Sequence, residues 1–263
     1  MEEKCLHGVP ETMLQTLYAR AKETQTGRGY LEDAKAVEMV RAMDYDFSDA
    51  DRDRTMRTGV VARTILLDRM TREFLTRHPG TQVLNIACGL DTRCYRMEGL
   101  YEKWYNLDLP ESMEIRRRFL KETEKVRQLA FSALDQGWLQ ALESRQGPVL
   151  IIMEGLTMYL KEAEVQRLFQ LLDQKFPKAR VLVEVMNPWV CVHVKEKSIE
   201  GSSAKFSWGI RNGRDLEKMV PGFRFLEEHS LTEGMQVFLP VYRLLGKIGF
   251  IRNISNKILV MEK

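Results

Sequence analysis

The sequence predicts an α/β fold, a mainly parallel sheet of about seven strands behind an N-terminal helical layer. Two observations carry this. The first 78 residues show apolar spacing of helical period with few β-branched runs, whereas short apolar runs alternate with helical segments after Pro79-Gly80. Alternation of that kind builds βαβ units, whose crossovers are right-handed. A third observation is size: 263 residues with 44% hydrophobic content fill one large α/β domain.

In chain order, "ETMLQTLYARAKE" places Met13, Leu14, Leu17, Tyr18 and Ala21 on one helical face. "LEDAKAVEMVRAM" does the same with Ala36, Val37, Val40 and Met43, and "TGVVARTILLDRMTREFLTRH" is a longer helix stopped by Pro79-Gly80. Five strands follow: "TQVLNIA", "KWYNLDL", "RQLAFSAL", "PVLIIMEGL" and "ARVLVEVM". Helical segments separate them, among them "ESMEIRRRFLKETEK" and "EAEVQRLFQLLDQKF". The stretch 187–212 reads as an irregular or helical insertion after the fifth strand. "FRFLEEHSL" and "NKILVMEK" read as closing strands, separated by a helical segment that Pro240 interrupts. The expected organisation is one domain, 1–263, with a helical cap at 1–78, a binding core at 80–186, an acceptor-side insertion at 187–222 and a sheet completion at 223–263.

Composition narrows the function. The 40 basic residues barely exceed the 37 acidic ones, a balance unlike that of a nucleic-acid binder. The one basic cluster, Arg116-Arg117-Arg118, reads as the solvated face of a helix. No run approaches a membrane span, and "MEEKCLHGVPETML" is unlike a signal peptide, so a cytoplasmic protein is expected. Cys5, Cys88, Cys94 and Cys191 form no CxxC and no metal-ligand spacing.

In an open parallel sheet, ligands sit beyond the carboxyl ends of the strands. Those ends are Ala87-Cys88-Gly89, Asp108, Leu134-Asp135 and Glu154-Gly155. Small residues at the first end admit a close ligand. A carboxylate at the second accepts the two hydroxyls of a ribose. Each acid has a plain reading as well, since Asp108 before Leu-Pro caps a helix and Asp135 can do likewise. Glu154, beside Ile151, Ile152 and Met153, needs a partner if buried. Together the acids point to a nucleoside. The run A-C-G-L-D-T-R lacks the glycines that seat a pyrophosphate and carries an acid, which disfavours NAD. S-adenosylmethionine, a nucleoside without phosphate, fits better. Its carboxylate wants an arginine, and Arg63 is a candidate.

Several motifs in order resemble those of the leucine carboxyl methyltransferase family, more closely its bacterial tetracenomycin-pathway O-methyltransferase type. They are Arg63, "IACGLDTRCYR", "DLP" at 108–110, "SALDQGW" at 132–138, "EGLTMYL" at 154–160 and "FSWGI" at 206–210, with "LYARAKE" before them. The resemblance spans nearly the whole chain. It implies a Rossmann-like class I methyltransferase that moves a methyl group from S-adenosylmethionine to an oxygen and releases S-adenosylhomocysteine. It further implies that Arg63 holds the methionine carboxylate, that Ala87, Gly89 and Asp91 lie under the amino-acid end, and that Asp108, with Leu109 next to it, takes the ribose. Leu134 and Asp135 then sit by the adenine, and Glu154 near the cofactor's amino group. Ala87 departs from the family's glycine, and alanine is expected to be tolerated in extended backbone geometry.

The resemblance to the bacterial type implies a small-molecule acceptor, a polyketide-like acid, and its carboxylate is the expected methylation point because no convincing general base is visible. His193 is the best of four histidines for that role, and Tyr159 is a second candidate at the reaction centre. Tyr30, Trp189, Phe206, Trp208 and Tyr242 are candidates to line the acceptor pocket. Two other readings stand beside this one: a non-catalytic module that binds the methyl donor or its product, and a methyltransferase of protein C-terminal carboxylates.

Overall fold

The computed structural model describes residues 9–143, 147–193 and 205–263. Four helices open the described chain: α1 (Val9–Gln25), α2 (Ala34–Ala42), α3 (Ser48–Arg52) and α4 (Arg54–Arg77). Asp33 caps α2 by accepting the Ala36 N–H, and Asp53 caps α4 by accepting that of Met56. Strands and helices then alternate as β1 (Gln82–Ile86), α5 (Arg93–Arg96), β2 (Lys103–Asp108), α6 (Pro110–Phe119), β3 (Val126–Ala130), α7 (Gly137–Ala141), β4 (Val149–Met153), α8 (Glu162–Lys175) and β5 (Arg180–Val185). The chain closes with α9 (Pro188–His193), α10 (Gly213–Met219), β6 (Arg224–Ser230), α11 (Leu231–Phe238), α12 (Tyr242–Leu245), α13 (Gly249–Ile254) and β7 (Lys257–Glu262).

The seven strands form one sheet in the order β3-β2-β1-β4-β5-β7-β6. β1 to β5 run parallel, and β7 is antiparallel to both of its neighbours. The mainly parallel sheet, the helical layer and the strand count therefore match the sequence expectation. Pro240 breaks the late helical segment as expected: α11 ends at Phe238 and α12 begins at Tyr242. Of the stretch 187–212, residues 194–204 lie outside the described residues.

The sheet is buried on both faces, which explains its near-continuous apolar strands. Alternate residues sort to opposite faces. Leu84 and Ile86 pack with Val165 and Leu168 of α8, while Val83 packs with Leu66, Leu67 and Met70 of α4. Helix α11 lies on α4 through Gly234, where an added Cβ would collide with the Ala62 carbonyl.

Two features of this topology place a site. Strand order reverses between β1 and β4, leaving a crevice at their carboxyl ends. The register is level there, since Ile86 pairs with both Leu107 and Met153. Residues just past β1, β2 and β4 therefore meet at one height. No helix among the described residues is long and apolar enough to cross a membrane.

Candidate active site

A cavity of about 400 Å³ occupies that crevice. Its floor comes from Asn85, Ala87 to Asp91, Asp108, Leu109, Glu154 and Gly155. The N-terminal layer covers it with Thr12, Met13, Gln15, Thr16 and Arg20 of α1 and with Met56, Val60 and Arg63 of α4. Ser132 to Leu134, Leu156, Met158 to Leu160, Met186, Phe206 and Asn256 complete the wall.

The loop after β1 turns on two residues in left-handed backbone, Ala87 at φ 55° and Gly89 at φ 47°. The extended geometry in which alanine would be tolerated at position 87 is not what forms. Among the described residues Ala87 is the one non-glycine with positive φ. That conformation costs an alanine roughly 1–2 kcal/mol, so the surroundings must hold it. They hold it on every side. The Cys88 N–H donates to the Leu107 carbonyl at 3.1 Å, and the Asp91 N–H to the Cys88 carbonyl at 2.8 Å. The Gly89 N–H donates to Asp108 Oδ2 at 2.6 Å. At Gly89 a side chain would be strained by the φ of 47° and crowded, its Cβ 3.0 Å from Met13 Cγ.

Asp108 ends β2 and is 9% exposed, facing the cavity. Oδ2 accepts the Gly89 N–H, and Oδ1 accepts the Leu109 N–H at 2.7 Å. An ionised carboxylate has about four acceptor sites, so capacity remains beyond these two N–H groups and the Ser112 hydroxyl. Burial raises the Asp108 pKa above its ordinary value, against the opposing pull of those two N–H groups, the Ser112 hydroxyl and Arg116. A buried carboxylate with spare acceptor capacity, level with a loop of small residues, fits a vicinal diol.

Glu154 finds the partners its burial requires. Oε1 accepts from Arg63 Nε at 2.7 Å and Oε2 from Arg93 Nη2 at 2.8 Å. Burial alone would raise its pKa, but the two guanidiniums outweigh that and lower it. Arg63 also donates through Nη1 to Glu184 Oε2 at 3.1 Å. Glu184 is anchored in turn by the Gly155 N–H at 2.8 Å and by Asn256 Nδ2 at 2.9 Å. Asp91 lines the cavity too, but its carboxylate serves Arg93 at 2.7 Å, Asn85 Nδ2 at 2.9 Å and the Arg93 N–H at 2.9 Å. Its pKa is driven well below the usual carboxylate range, since Arg93 and Arg96 overcome the opposing effect of burial.

These contacts belong to a larger buried network. Arg93 reaches Asp68 of α4 at 2.7 Å, and Arg96 reaches Asp68 at 2.6 Å and Asp33 at 2.8 Å. Asp33 Oδ2 also accepts from Arg20 Nε at 3.0 Å and the Thr92 hydroxyl at 2.6 Å. Arg20 Nη2 reaches the Leu90 carbonyl at 2.7 Å. The N-terminal helices are thereby tied to the loop that floors the cavity. Sequence reading missed Arg20, Asp33, Asp68, Arg93, Arg96 and Glu184. Two signals were available. Arg93 and Arg96, three apart, share a helical face. Glu184 is an acid inside the apolar run "VLVEV", the same anomaly that singled out Glu154.

Arg63, Ala87, Gly89, Asp91, Asp108, Leu109, Leu134 and Glu154 are brought together around the cavity. Asp135 is not. It is exposed, and its Oδ1 accepts the Gly137 N–H at 2.8 Å in a local turn just ahead of α7, whose N-cap is Gln136. Tyr159 and Phe206 line the cavity, with ring centroids 5.6 Å apart. The other acceptor-side candidates lie outside the lining. His193 is exposed on α9, stacked on Trp189 at 4.8 Å, and its Nδ1 faces the Trp189 carbonyl at 2.9 Å. Trp189 is 54% exposed, and Trp208 is buried in the main core. Tyr30 packs against Phe238 at 6.2 Å, and Tyr242 belongs to α12. Aromatic character finds core and surface as readily as a pocket, which is why these positions misled. The basic cluster also divides: Arg117 and Arg118 are exposed, whereas Arg116 is 1% exposed.

Comparison with known proteins adds to this geometry. A sequence model described as leucine carboxyl methyltransferase matches residues 13–173. The tetracenomycin polyketide synthesis O-methyltransferase TcmP of Streptomyces glaucescens is 37% identical over 233 residues, covering 87% of this chain and 85% of that protein. The S-adenosyl-L-methionine-dependent methyltransferase dpfgK of Gibberella zeae is 30% identical over 268 residues, covering 94% and 88%. Among solved structures, the fold resembles magnesium protoporphyrin IX methyltransferase of Synechocystis PCC 6803 with bound SAH, at TM-score 0.53 and 11% identity over 82% of this chain and 90% of that one. It also resembles an S-adenosylmethionine-dependent methyltransferase of Anabaena variabilis, at TM-score 0.52 and 14% identity over 84% and 96%.

Proposed function

The chain belongs to the leucine carboxyl methyltransferase family, and we propose that this S-adenosylmethionine-dependent O-methyltransferase acts on the carboxylate of a small, polyketide-like organic acid. The observation that carries the acceptor class is the absence of a usable base among the described lining residues. The lining holds no histidine or lysine, Asp91 and Glu154 are each occupied by arginines, and Asp108 is held by the Gly89 and Leu109 N–H groups and assigned to the ribose. A carboxylate is ionised near neutral pH and needs no base, whereas a phenol or alcohol does. The wall of Met56, Val60, Met158, Leu160, Met186 and Phe206 offers an apolar surface to the body of such an acid.

The cofactor-side roles follow from the donor set. Asp108 accepts the ribose hydroxyls with the acceptor capacity that its loop partners leave. The Ala87 to Gly89 backbone lies beneath the amino-acid end, and Leu134, with Ser132 and Ala133, lies beside the base. Arg63, fixed by Glu154 and Glu184, takes the methionine carboxylate. When bound, the cofactor would supply a sulfonium methyl group, whose carbon bonds to the acceptor oxygen as its bond to sulfur breaks and S-adenosylhomocysteine leaves. What the chain supplies is alignment and exclusion of water. Alignment of two reactants is worth up to roughly 7–11 kcal/mol. The α1 residues Met13 and Thr16 cover the cavity from above. Tyr159 and Phe206 orient the acceptor. Cytoplasmic residence and action without nucleic acid or membrane complete the reading.

The test is transfer of a labelled methyl group to a panel of aromatic and aliphatic acids, each paired with its phenol or alcohol. Label in a product that mild alkali releases as methanol supports carboxyl transfer. An alkali-stable methyl ether as the main product refutes it. Methylation only of protein or peptide C-termini assigns the acceptor to a macromolecule instead.

A further inference from the structure

Arg116 stands apart from the other buried arginines. It projects inward from α6 with 1% exposure, between Arg117 and Arg118 on the solvent side and the loop after β1. Its Nη1 donates to two loop carbonyls, Gly89 and Asp91, each at 2.8 Å. Nε, buried as well, has no hydrogen-bond partner among the described residues. The recorded ion pairs of the described residues include none for Arg116, while Arg20, Arg63, Arg93 and Arg96 each hold at least one. Burying a charge without a directly paired counter-charge is costly, and an apolar side chain would fill the space without that cost. A fold needing only a filler has no use for a guanidinium here.

What the guanidinium does is visible in the loop. The segment turns on left-handed backbone at Ala87 and Gly89. Its N–H groups at Cys88, Gly89 and Asp91 are satisfied by the Leu107 carbonyl, Asp108 and the Cys88 carbonyl. Its carbonyls are held from outside: Gly89 and Asp91 by Arg116, Leu90 by Arg20. If those carbonyls are released, Ala87 has an unstrained conformation to fall back to, and the Gly89 N–H leaves Asp108. We infer that Arg116 is a positioning residue, which holds the loop from Ala87 to Asp91 in its cofactor-binding shape and offsets the strain of alanine at position 87. The inference rests on the reading of this loop as the floor of the S-adenosylmethionine site.

The test uses the full chain and S-adenosylhomocysteine as calorimetric probe, with wild type, Arg116→Lys, Arg116→Met, Ala87→Gly and the double variant Ala87→Gly/Arg116→Lys. Arg116→Met should weaken binding ~10- to 100-fold, the range for losing hydrogen bonds from a charged donor. Arg116→Lys, which keeps the charge and one to two donors, should lose less. With any acceptor that turns over, the cofactor KM should rise while kcat at saturating cofactor stays within about threefold, as expected when an interaction common to ground and transition states is lost. Glycine at position 87 removes the strain that Arg116 offsets, so the double variant should regain most of the affinity lost in Arg116→Lys. If Arg116→Met fails to fold, the lysine pair alone decides. Variants that melt earlier yet bind the probe like wild type assign Arg116 to packing and overturn the inference. Equal losses from Arg116→Lys in the alanine and glycine backgrounds overturn its link to Ala87. A wild-type chain that does not bind the probe overturns the cofactor reading itself.

Discussion

Asp108 shows how one side chain serves both fold and chemistry. It pins the loop through the Gly89 N–H and still faces the cavity with acceptor capacity to spare. Its folded pKa is raised, so on this group alone the fold is favoured at low pH and the contribution is lost as pH rises through the folded value. Ligand binding runs the other way, because two ribose hydroxyls require the ionised form. Affinity for S-adenosylhomocysteine should therefore begin to decline, as pH is lowered, at a higher pH than the roughly 3.9 of an ordinary aspartate would give. Asp108→Asn should bind weakly throughout and lose that slope. A wild-type affinity, measured by calorimetry, that stays flat until the pH nears that of an ordinary aspartate would separate Asp108 from the ribose. Ala87 carries the opposite lesson. Its identity is plain in the sequence, but its φ of 55° is set by partners on β2, α1 and α6.

At the scale of elements, the short helix α5 is a hub rather than a spacer. Arg93 and Arg96 project from it into α4, the residue preceding α2 and the end of β4, meeting Asp68, Asp33 and Glu154. These pairs are buried, so removing one member strands the others. Arg96→Met should cost about 3–5 kcal/mol in urea unfolding. Arg118→Met, which breaks the exposed pair with Glu114 four residues away on α6, should cost no more than about 0.5 kcal/mol. Equal costs would show that burial does not set the value of these ion pairs. The elements themselves were legible because period-2 and period-3.6 patterns record which face is buried. Arg116 was the exception: it shares the inward face of α6 with Met113, three residues before it, although the sequence placed it in a basic cluster read as solvated.

For the whole molecule, the N-terminal layer and the sheet are joined by charge as well as by apolar packing. Asp33, Asp91 and Glu154 all titrate below their ordinary values in the folded chain, because arginines outweigh the effect of burial. A depressed folded pKa gives stability that is full above the unfolded value and lost as pH falls through the folded one. The part of the stability in urea that these three acids supply should thus be complete above about pH 5 and drop steeply below about pH 4. A steep loss already near pH 6 would contradict the depressed values. Cap and floor should come apart together in that acid transition, since the same carboxylates join them.

By itself the sequence determined the sheet, the helical layer and the acids at the ends of β2 and β4. Strand periodicity and apolar runs are local records of burial, and the parallel crossover places strand ends together. Only the tertiary structure decided which of 40 cations meets which of 37 anions. Arg63 and Glu154 are 91 positions apart, and Arg20 and Leu90 are 70 apart. Nothing local distinguishes such partners from the exposed charges around them. For the same reason Asp135 and His193, credible as sequence positions, lie outside the cavity, while Arg116, read as solvated, lies under the loop. Coulomb energy depends on separation in space and on the water excluded around a pair, and both come into being only when the chain has folded.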